Sequence, residues 1–224
     1  MITSNVLERL FFIRFGNATA TCFTIVVDNR EYIITAKHVV EQIGAEDTIQ
    51  LKLNNQWINL DVKLVGHAED DVDISVLSTD RVLTPANHPM QPTSKGMIYG
   101  QDMYFLGYPF GWTGELTMAG NGGSPLPFVK KAILALLGGK TFYLDGHNNK
   151  GFSGGPVIFK NANGPNEFKV GGVISGYTAV EQPVLHEGRK TPLIVQDNTG
   201  IISVMDINGA VKVIKDNPIG CPIS

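Results

Sequence analysis

Short runs of β-branched and aromatic residues, each cut off by glycine, proline, asparagine or aspartate, recur along nearly the whole chain. Such punctuation points to many short strands joined by turns. The clearest unit runs from Thr21 to Val27, turns at Asp28-Asn29-Arg30 and resumes from Glu31 to Thr35, the pattern of a β-hairpin. Thr48 to Leu53 and Trp57 to Leu64 form a second pair around Asn54-Asn55. Further strands are expected at Ile74–Leu77, Met103–Pro109, Thr141–Leu144, Val157–Lys160, Phe168–Ser175 and Gly200–Met205. A turn at Asn163-Gly164 joins Val157–Lys160 to Phe168–Ser175, and Ile207 to Lys215 has helical spacing. The pattern is less decisive elsewhere: Val6 to Arg14 suits a strand or a short helix, Ala36 to Val40 a short helix, and Phe128 to Leu137 a helical or mixed segment. Gly114 to Leu126 reads as a mobile glycine-rich loop and Val180 to Asp197 as a long polar loop. Thr84 to Gly96 carries Pro85, Pro89 and Pro92 without periodicity and reads as a linker between halves 1–93 and 94–224. The expected fold is all-β, an antiparallel barrel pair with a C-terminal helix.

With 224 residues, 43% of them hydrophobic and 17% charged, the chain can bury a substantial core. A net charge of -3 gives no basic footprint for nucleic acid, and Lys130-Lys131 and Arg189-Lys190 read as solvated surface pairs. Cys22 and Cys221 make no disulfide framework and read as buried free thiols. Leu10–Ile13 is a short apolar run between Glu8-Arg9 and Arg14, unlike a signal peptide, and Ala132–Leu137 is too short to span a bilayer. The expectation is a cytoplasmic protein with no membrane partner. His186-Glu187 lacks the second histidine of a zinc motif, and no other metal spacing is present, so neither metal nor cofactor is expected.

Chemistry concentrates at Gly151-Phe152-Ser153-Gly154-Gly155-Pro156, between two strand-like runs. Three glycines and a proline around one serine expose a hydroxyl and let backbone N–H groups approach it, which acyl transfer requires. His38 and Asp73 also stand at the ends of strand-like runs, so the chain order is histidine, aspartate, serine. The serine is a poor nucleophile until a histidine takes its proton, and a carboxylate fixes the imidazole tautomer and stabilises the imidazolium. Asp70 and Asp71 compete with Asp73, but only Asp73 directly precedes the apolar run Ile74–Leu77. His67, His88 and His147 lie in no comparable motif.

Thr35-Ala36-Lys37-His38 resembles the histidine motif of the trypsin-like, chymotrypsin-fold serine proteases. Asp73-Ile74-Ser75-Val76-Leu77 is similar to their aspartate motif, and Gly151–Pro156 to their serine motif. Asp145 and Gly107-Tyr108-Pro109 resemble the bacterial HtrA-like branch. The resemblance implies two antiparallel six-stranded barrels, residues 1–93 carrying His38 and Asp73 and 94–224 carrying Ser153, working as one protease unit. It implies a serine endopeptidase acting through an acyl-enzyme, with the N–H groups of Gly151 and Ser153 as oxyanion hole. A protein or peptide substrate would add as a strand along Val173–Gly176, engaging Ser175, Gly176 and Tyr177. The first specificity pocket would fall near His147, Tyr177 and Gly200. Several features depart from the digestive enzymes. Phe152 stands where they carry the aspartate of zymogen activation, no cysteine closely follows His38, and no aspartate marks a pocket for basic residues. No PDZ domain follows.

Gly151–Gly155 also fits the G-x-S-x-G elbow of α/β-hydrolases, but that fold needs an acid and then a histidine after the serine. Between Ser153 and His186 there is no aspartate, only Glu167 and Glu181, and Val157–Phe159 suits a strand where the elbow needs a helix. The stronger rival is a trypsin-like peptide-binding module whose chemistry is silent, or gated until an activating partner completes the site.

Overall fold

A computed structural model describes residues 1–69, 71–85, 90–161 and 167–223. It is nearly all β. A one-turn helix α1 (Ser4–Leu7) precedes β1 (Leu10–Phe15), β2 (Ala18–Val27), β3 (Arg30–Thr35), β4 (Glu46–Leu53), β5 (Gln56–His67) and β6 (Ser75–Ser78). These strands pair antiparallel in the order β3-β2-β1-β4-β5-β6, and β6 returns to pair with β3, so six strands form a ring. The Val6–Arg14 segment is thus divided between α1 and β1. Both turns expected in the first half form: Asp28 and Asn29, and Asn54 and Asn55, have φ between 48° and 62°. Two consecutive left-handed residues match the twist of a two-residue hairpin, which is why Asn and Asp occupy them.

The second half contains β7 (Asp102–Gly107), β8 (Thr117–Met118), β9 (Ser124–Pro125), β10 (Phe128–Gly138), β11 (Thr141–Asp145), β12 (Pro156–Lys160), β13 (Phe168–His186) and β14 (Arg189–Asp206). Six of them close a barrel in the order β10-β11-β14-β13-β12-β7. Helix α2 (Asn208–Asp216) follows, and the chain returns to the first sheet, where β15 (Cys221–Pro222) pairs with β3.

Each barrel has its own interior. Phe11, Ile13, Cys22, Ile33, Leu51 and Leu77 fill the first, and Phe105, Leu134, Phe142, Phe152, Phe159 and Ile202 fill the second. A third cluster joins them: Phe23, Ile34 and Val76 from the first ring meet Leu106, Ile158 and Val173 from the second, with Ala210 and Ile214 of α2 packed alongside. Burying each such aliphatic or aromatic side chain contributes about 1.5–3 kcal/mol. The interface between barrels is therefore a core, and groups carried by opposite halves are held in register across it.

Three expectations are corrected. Phe128–Leu137 is not helical but lies in β10, hydrogen-bonded to β7 and β11. Ala132 and Leu134 are buried while Lys131, Ile133 and Ala135 are exposed, a period of two that outweighs the helical propensity of Ala, Leu and Lys. Val180–Asp197 is not a loop but the outer half of the β13–β14 hairpin. With no buried face it shows no apolar alternation, and its turn at Glu187-Gly188 is hidden in a polar run. Gly114–Leu126 holds β8 and β9, and it is anchored by buried Asn121 and Ser124, whose side chains both donate to Leu10 O.

Ala36–Val40 forms a 3₁₀ turn at Lys37–Val39. The expected Asn163-Gly164 turn lies outside the described residues. In the described part of Thr84–Gly96, Thr84 is tied to the first ring through Glu31 and Thr24, and the Thr93 N–H donates to Val170 O of β13. Among the described residues no helix is long and apolar enough to cross a membrane.

Candidate active site

His38 sits in the 3₁₀ turn that leaves β3, and Asp73 in the loop that enters β6. Because β3 and β6 pair through Thr35↔Ser75, the two turns emerge side by side. Buried Ile74 and Val72 anchor the loop on either side of Asp73. The carboxylate accepts the His38 backbone N–H on Oδ1 at 2.9 Å and lies 2.7 Å from His38 Nδ1 through Oδ2. Burial works against the Asp73 charge, but hydrogen bonds from His38 and Ser175 outweigh it and hold the pKa below the usual carboxylate value. An ionised acceptor at Nδ1 fixes the proton there and leaves Nε2 of the neutral ring free to accept. The His38 pKa is raised, chiefly by its hydrogen bond to Asp73 and against the opposing effect of burial.

Ser153 belongs to the turn between β11 and β12. Phe152 explains its direction, because that side chain is fully buried and packs edge-on against Phe105 with ring centroids 5.0 Å apart. Pulling Phe152 inward turns its neighbour outward. The turn is fastened to both barrels: Thr21 N–H donates to Ser153 O at 3.0 Å, and Gly154 N–H to Ile174 O at 2.8 Å. Ser153 Oγ donates to the Ser175 carbonyl at 3.2 Å, and among the described residues no hydrogen bond joins it to His38.

Gly151 has φ +103°, and a Cβ there would stand 2.2 Å from Tyr108 O. Only glycine fits. The preceding carbonyl, Lys150 O, accepts the Phe110 N–H at 2.7 Å. In a planar trans peptide the N–H points opposite to the C=O, so the Gly151 N–H faces away from Phe110. Among the described residues, neither the Gly151 nor the Ser153 N–H is used by a protein acceptor. Two unspent donors flank the hydroxyl.

The residues expected around a substrate divide. Ser175 lies at the centre: its carbonyl receives Ser153 Oγ, and its hydroxyl donates to Asp73 Oδ2 at 2.6 Å. Gly176 O accepts Asn148 Nδ2 at 3.2 Å, and Tyr177 pairs with Ile202. Gly200 has φ +78° and its carbonyl accepts the Gly146 N–H. His147 is exposed; its backbone carbonyl accepts Lys130 Nζ, and its ring Nε2 lies 3.3 Å from Asn149 Nδ2. Asn148, which sequence reasoning passed over, is almost fully buried and ties the walls together: its own carbonyl also accepts Asn198 Nδ2 at 2.8 Å. Its only sequence signal is a place in the polar run before Gly151.

The competing residues are engaged elsewhere. His67 Nδ1 lies 2.6 Å from Ser75 Oγ, Asp71 binds Lys140, and His186 ends β13. His88 and Asp70 lie outside the described residues. Among the described residues no group of three His, Cys, Asp or Glu side chains is placed to hold a metal ion.

A family model for the trypsin-like peptidase domain matches residues 20–164. No curated protein sequence matches. Among solved structures, the chain is similar to Rv3671c of M. tuberculosis H37Rv, a serine-to-alanine mutant in its inactive form. Identity is 17%, with a TM-score of 0.59 over 98% of this chain and 91% of that one. It is similar to a serine endoprotease from Yersinia pestis at 19% identity and a TM-score of 0.58, covering 95% of this chain and 63% of that one. An HtrA-type protease, AlgW, with a bound tripeptide gives 17% identity and a TM-score of 0.58, covering 95% and 61%. The chain thus spans less than two thirds of these last two proteins.

Proposed function

The chain belongs to the trypsin-like peptidase domain family, and we propose that it is a serine endopeptidase whose catalytic residues are Ser153, His38 and Asp73. The observation that carries this reading is the Asp73 carboxylate, gripped by His38 from its own barrel and by Ser175 from the barrel that bears Ser153. Residues 1–93 and 94–224 then act as two halves of one protease unit.

Ser153 Oγ attacks the scissile carbonyl while its proton passes to His38 Nε2. The oxyanion takes up the free N–H groups of Gly151 and Ser153. The C–N bond breaks as His38 returns the proton to the leaving amine, leaving an acyl-enzyme. Water, deprotonated by His38, then releases the acid. The substrate is a polypeptide, in keeping with the tripeptide present with the similar HtrA-type protease, and it lies along Ser175–Tyr177 as an added strand. Asn148, His147 and Gly200 frame the adjoining pocket.

In the free protein the Ser153 hydroxyl rests on Ser175 O. Catalysis needs it to rotate toward His38, freeing that carbonyl for a substrate N–H. The same bond favours a second reading, a gated module that a partner must switch on. A fluorophosphonate probe tests both, with Ser153→Ala and His38→Ala as controls. Labelling of the native chain alone supports the endopeptidase. Absence of labelling supports the gated module, and undiminished turnover by Ser153→Ala would overturn the assignment of the nucleophile.

A further inference from the structure

β13 and β14 do not stop where the barrel ends. Beyond Tyr177↔Ile202 they continue as a two-stranded ribbon from Ala179↔Asn198 to His186↔Arg189, closed by Glu187 and Gly188 at φ 49° and 75°. Every residue from 178 to 190 is exposed.

The edges of β13 change character at Ser175. Toward the barrel, β12 covers Phe168–Val173, and Gly154 and Gly155 close over Ile174 through two backbone hydrogen bonds. From Ser175 outward β14 covers one edge, and among the described residues no strand covers the other. At its inner end a side chain caps this edge, Ser153 Oγ on Ser175 O. Pro183, which has no N–H, and the register shift just after it mark the outer limit. The open stretch Ser175–Gln182 is about 26 Å long at the usual strand rise.

Open edges template the pairing of another chain, and native proteins blunt those with no partner. This one begins at the nucleophile. Its ribbon also carries exposed aliphatics on one face: Val180 on β13, with Leu193 and Val195 on β14, are 39%, 64% and 51% exposed. Val180 shares that face with Gln182, and Gln182 pairs with Val195.

We propose that the ribbon is an extended substrate-binding strip, on which an apolar segment of unfolded polypeptide adds as a third strand along Ser175–Gln182. This rests on the endopeptidase reading. The reacting residue lies at Ser153, where its N–H replaces Ser153 Oγ on Ser175 O. Residues preceding the scissile bond then have only one way to follow β13, because the inward direction is covered. They run outward, main chain on the open edge and alternate side chains against Val180 and toward Val195. The substrate class is unfolded protein with apolar residues well upstream of the cleaved bond, rather than short peptides.

The test is a series of fluorogenic peptides with three, five, eight and eleven residues before the scissile bond and alternating Val and Ser upstream. A parallel series is lengthened after the bond. The strip requires kcat/KM to climb about 100-fold as several strand hydrogen bonds are added, to level off near eight residues, and to ignore lengthening after the bond. Val180→Asp combined with Val195→Asp should collapse the ratio of long to short substrate. Replacing residues 179–198 by an Asn-Gly turn should do the same. A flat profile in the native chain overturns the proposal. So does a ribbon occupied by a second copy, seen as a dimer in sedimentation that the double aspartate variant dissociates. Fluorophosphonate labelling and cleavage of the shortest peptide separate the two readings: labelling with a flat profile removes the strip alone, and no labelling removes both.

Discussion

Ser175 Oγ donates to Asp73 Oδ2 at 2.6 Å, so a carboxylate carried by the first barrel is held by a hydroxyl of the second. Asp73 also receives both the backbone N–H and Nδ1 of His38. Three donors on one carboxylate leave it little freedom to turn. The imidazole inherits that rigidity, because among the described residues its only side-chain hydrogen-bond partner is Asp73. The apolar core shared by the barrels keeps the donor on β13 and the acceptor before β6 in contact.

Removing the Ser175 hydroxyl should therefore damage turnover more than binding. A hydrogen bond to a charged group contributes about 1.5–3 kcal/mol, so Ser175→Ala should lower kcat about tenfold and leave KM close to its native value. The Ser175 carbonyl, to which the proposed substrate strand would bind, is unchanged by the substitution. A variant with native kcat would show that Asp73 keeps its orientation without the second barrel.

The acidic limb of the pH profile follows from His38. Its pKa is raised by the Asp73 hydrogen bond, and the base must be neutral to accept a proton, so kcat/KM should fall as pH drops through a value above the ordinary 6.5. Stability runs the other way. A folded pKa above the unfolded one stabilises the fold fully below the unfolded pKa, and that contribution is lost as pH rises through the folded pKa. Asp73→Asn should shift the His38 titration downward and cost kcat about 10⁴-fold through the wrong tautomer. Imidazole NMR titration of the native chain and the variant reads the shift directly. An unmoved His38 titration in Asp73→Asn would remove Asp73 from the role.

Much of this arrangement was legible because its signals are local. Asp28-Asn29 and Asn54-Asn55 tolerate left-handed backbone and stand between alternating strand-like runs, so the hairpins of the first ring could be read from neighbouring residues. The ends of β3 and β6, with His38 and Asp73 beside them, followed from apolar runs that stop abruptly. β10 was missed because Ala, Leu and Lys favour a helix locally, and only pairing with β7 and β11 decides otherwise. The ribbon beyond Tyr177 was missed because a strand exposed on both faces has no apolar alternation to read. Asn148 was invisible for a different reason: its importance lies in contacts with Gly176 and Asn198, distant in sequence.

Gly151 gives the sharpest test of the oxyanion assignment. Its φ of +103° is closed to other residues, and an added methyl would press on backbone, the Tyr108 carbonyl at 2.2 Å and the Phe110 nitrogen at 3.0 Å. Backbone cannot swing aside as a flexible side chain would. Gly151→Ala must therefore either turn the Lys150–Gly151 peptide, withdrawing its N–H from the hole, or push the Tyr108–Phe110 segment away. Loss of one oxyanion donor costs roughly 10²–10³ in rate, so fluorophosphonate labelling should slow about 100-fold while far-UV circular dichroism stays that of a β protein. Gly16→Ala is the matched control, because Gly16 has φ +55° but nothing within 4 Å of the added Cβ. That variant should lose about 1–2 kcal/mol of stability to backbone strain and label at the native rate. Native labelling by Gly151→Ala would mean that the oxyanion is held by other donors. Equal slowing in both variants would mean that strain alone, wherever it is placed, disturbs Ser153.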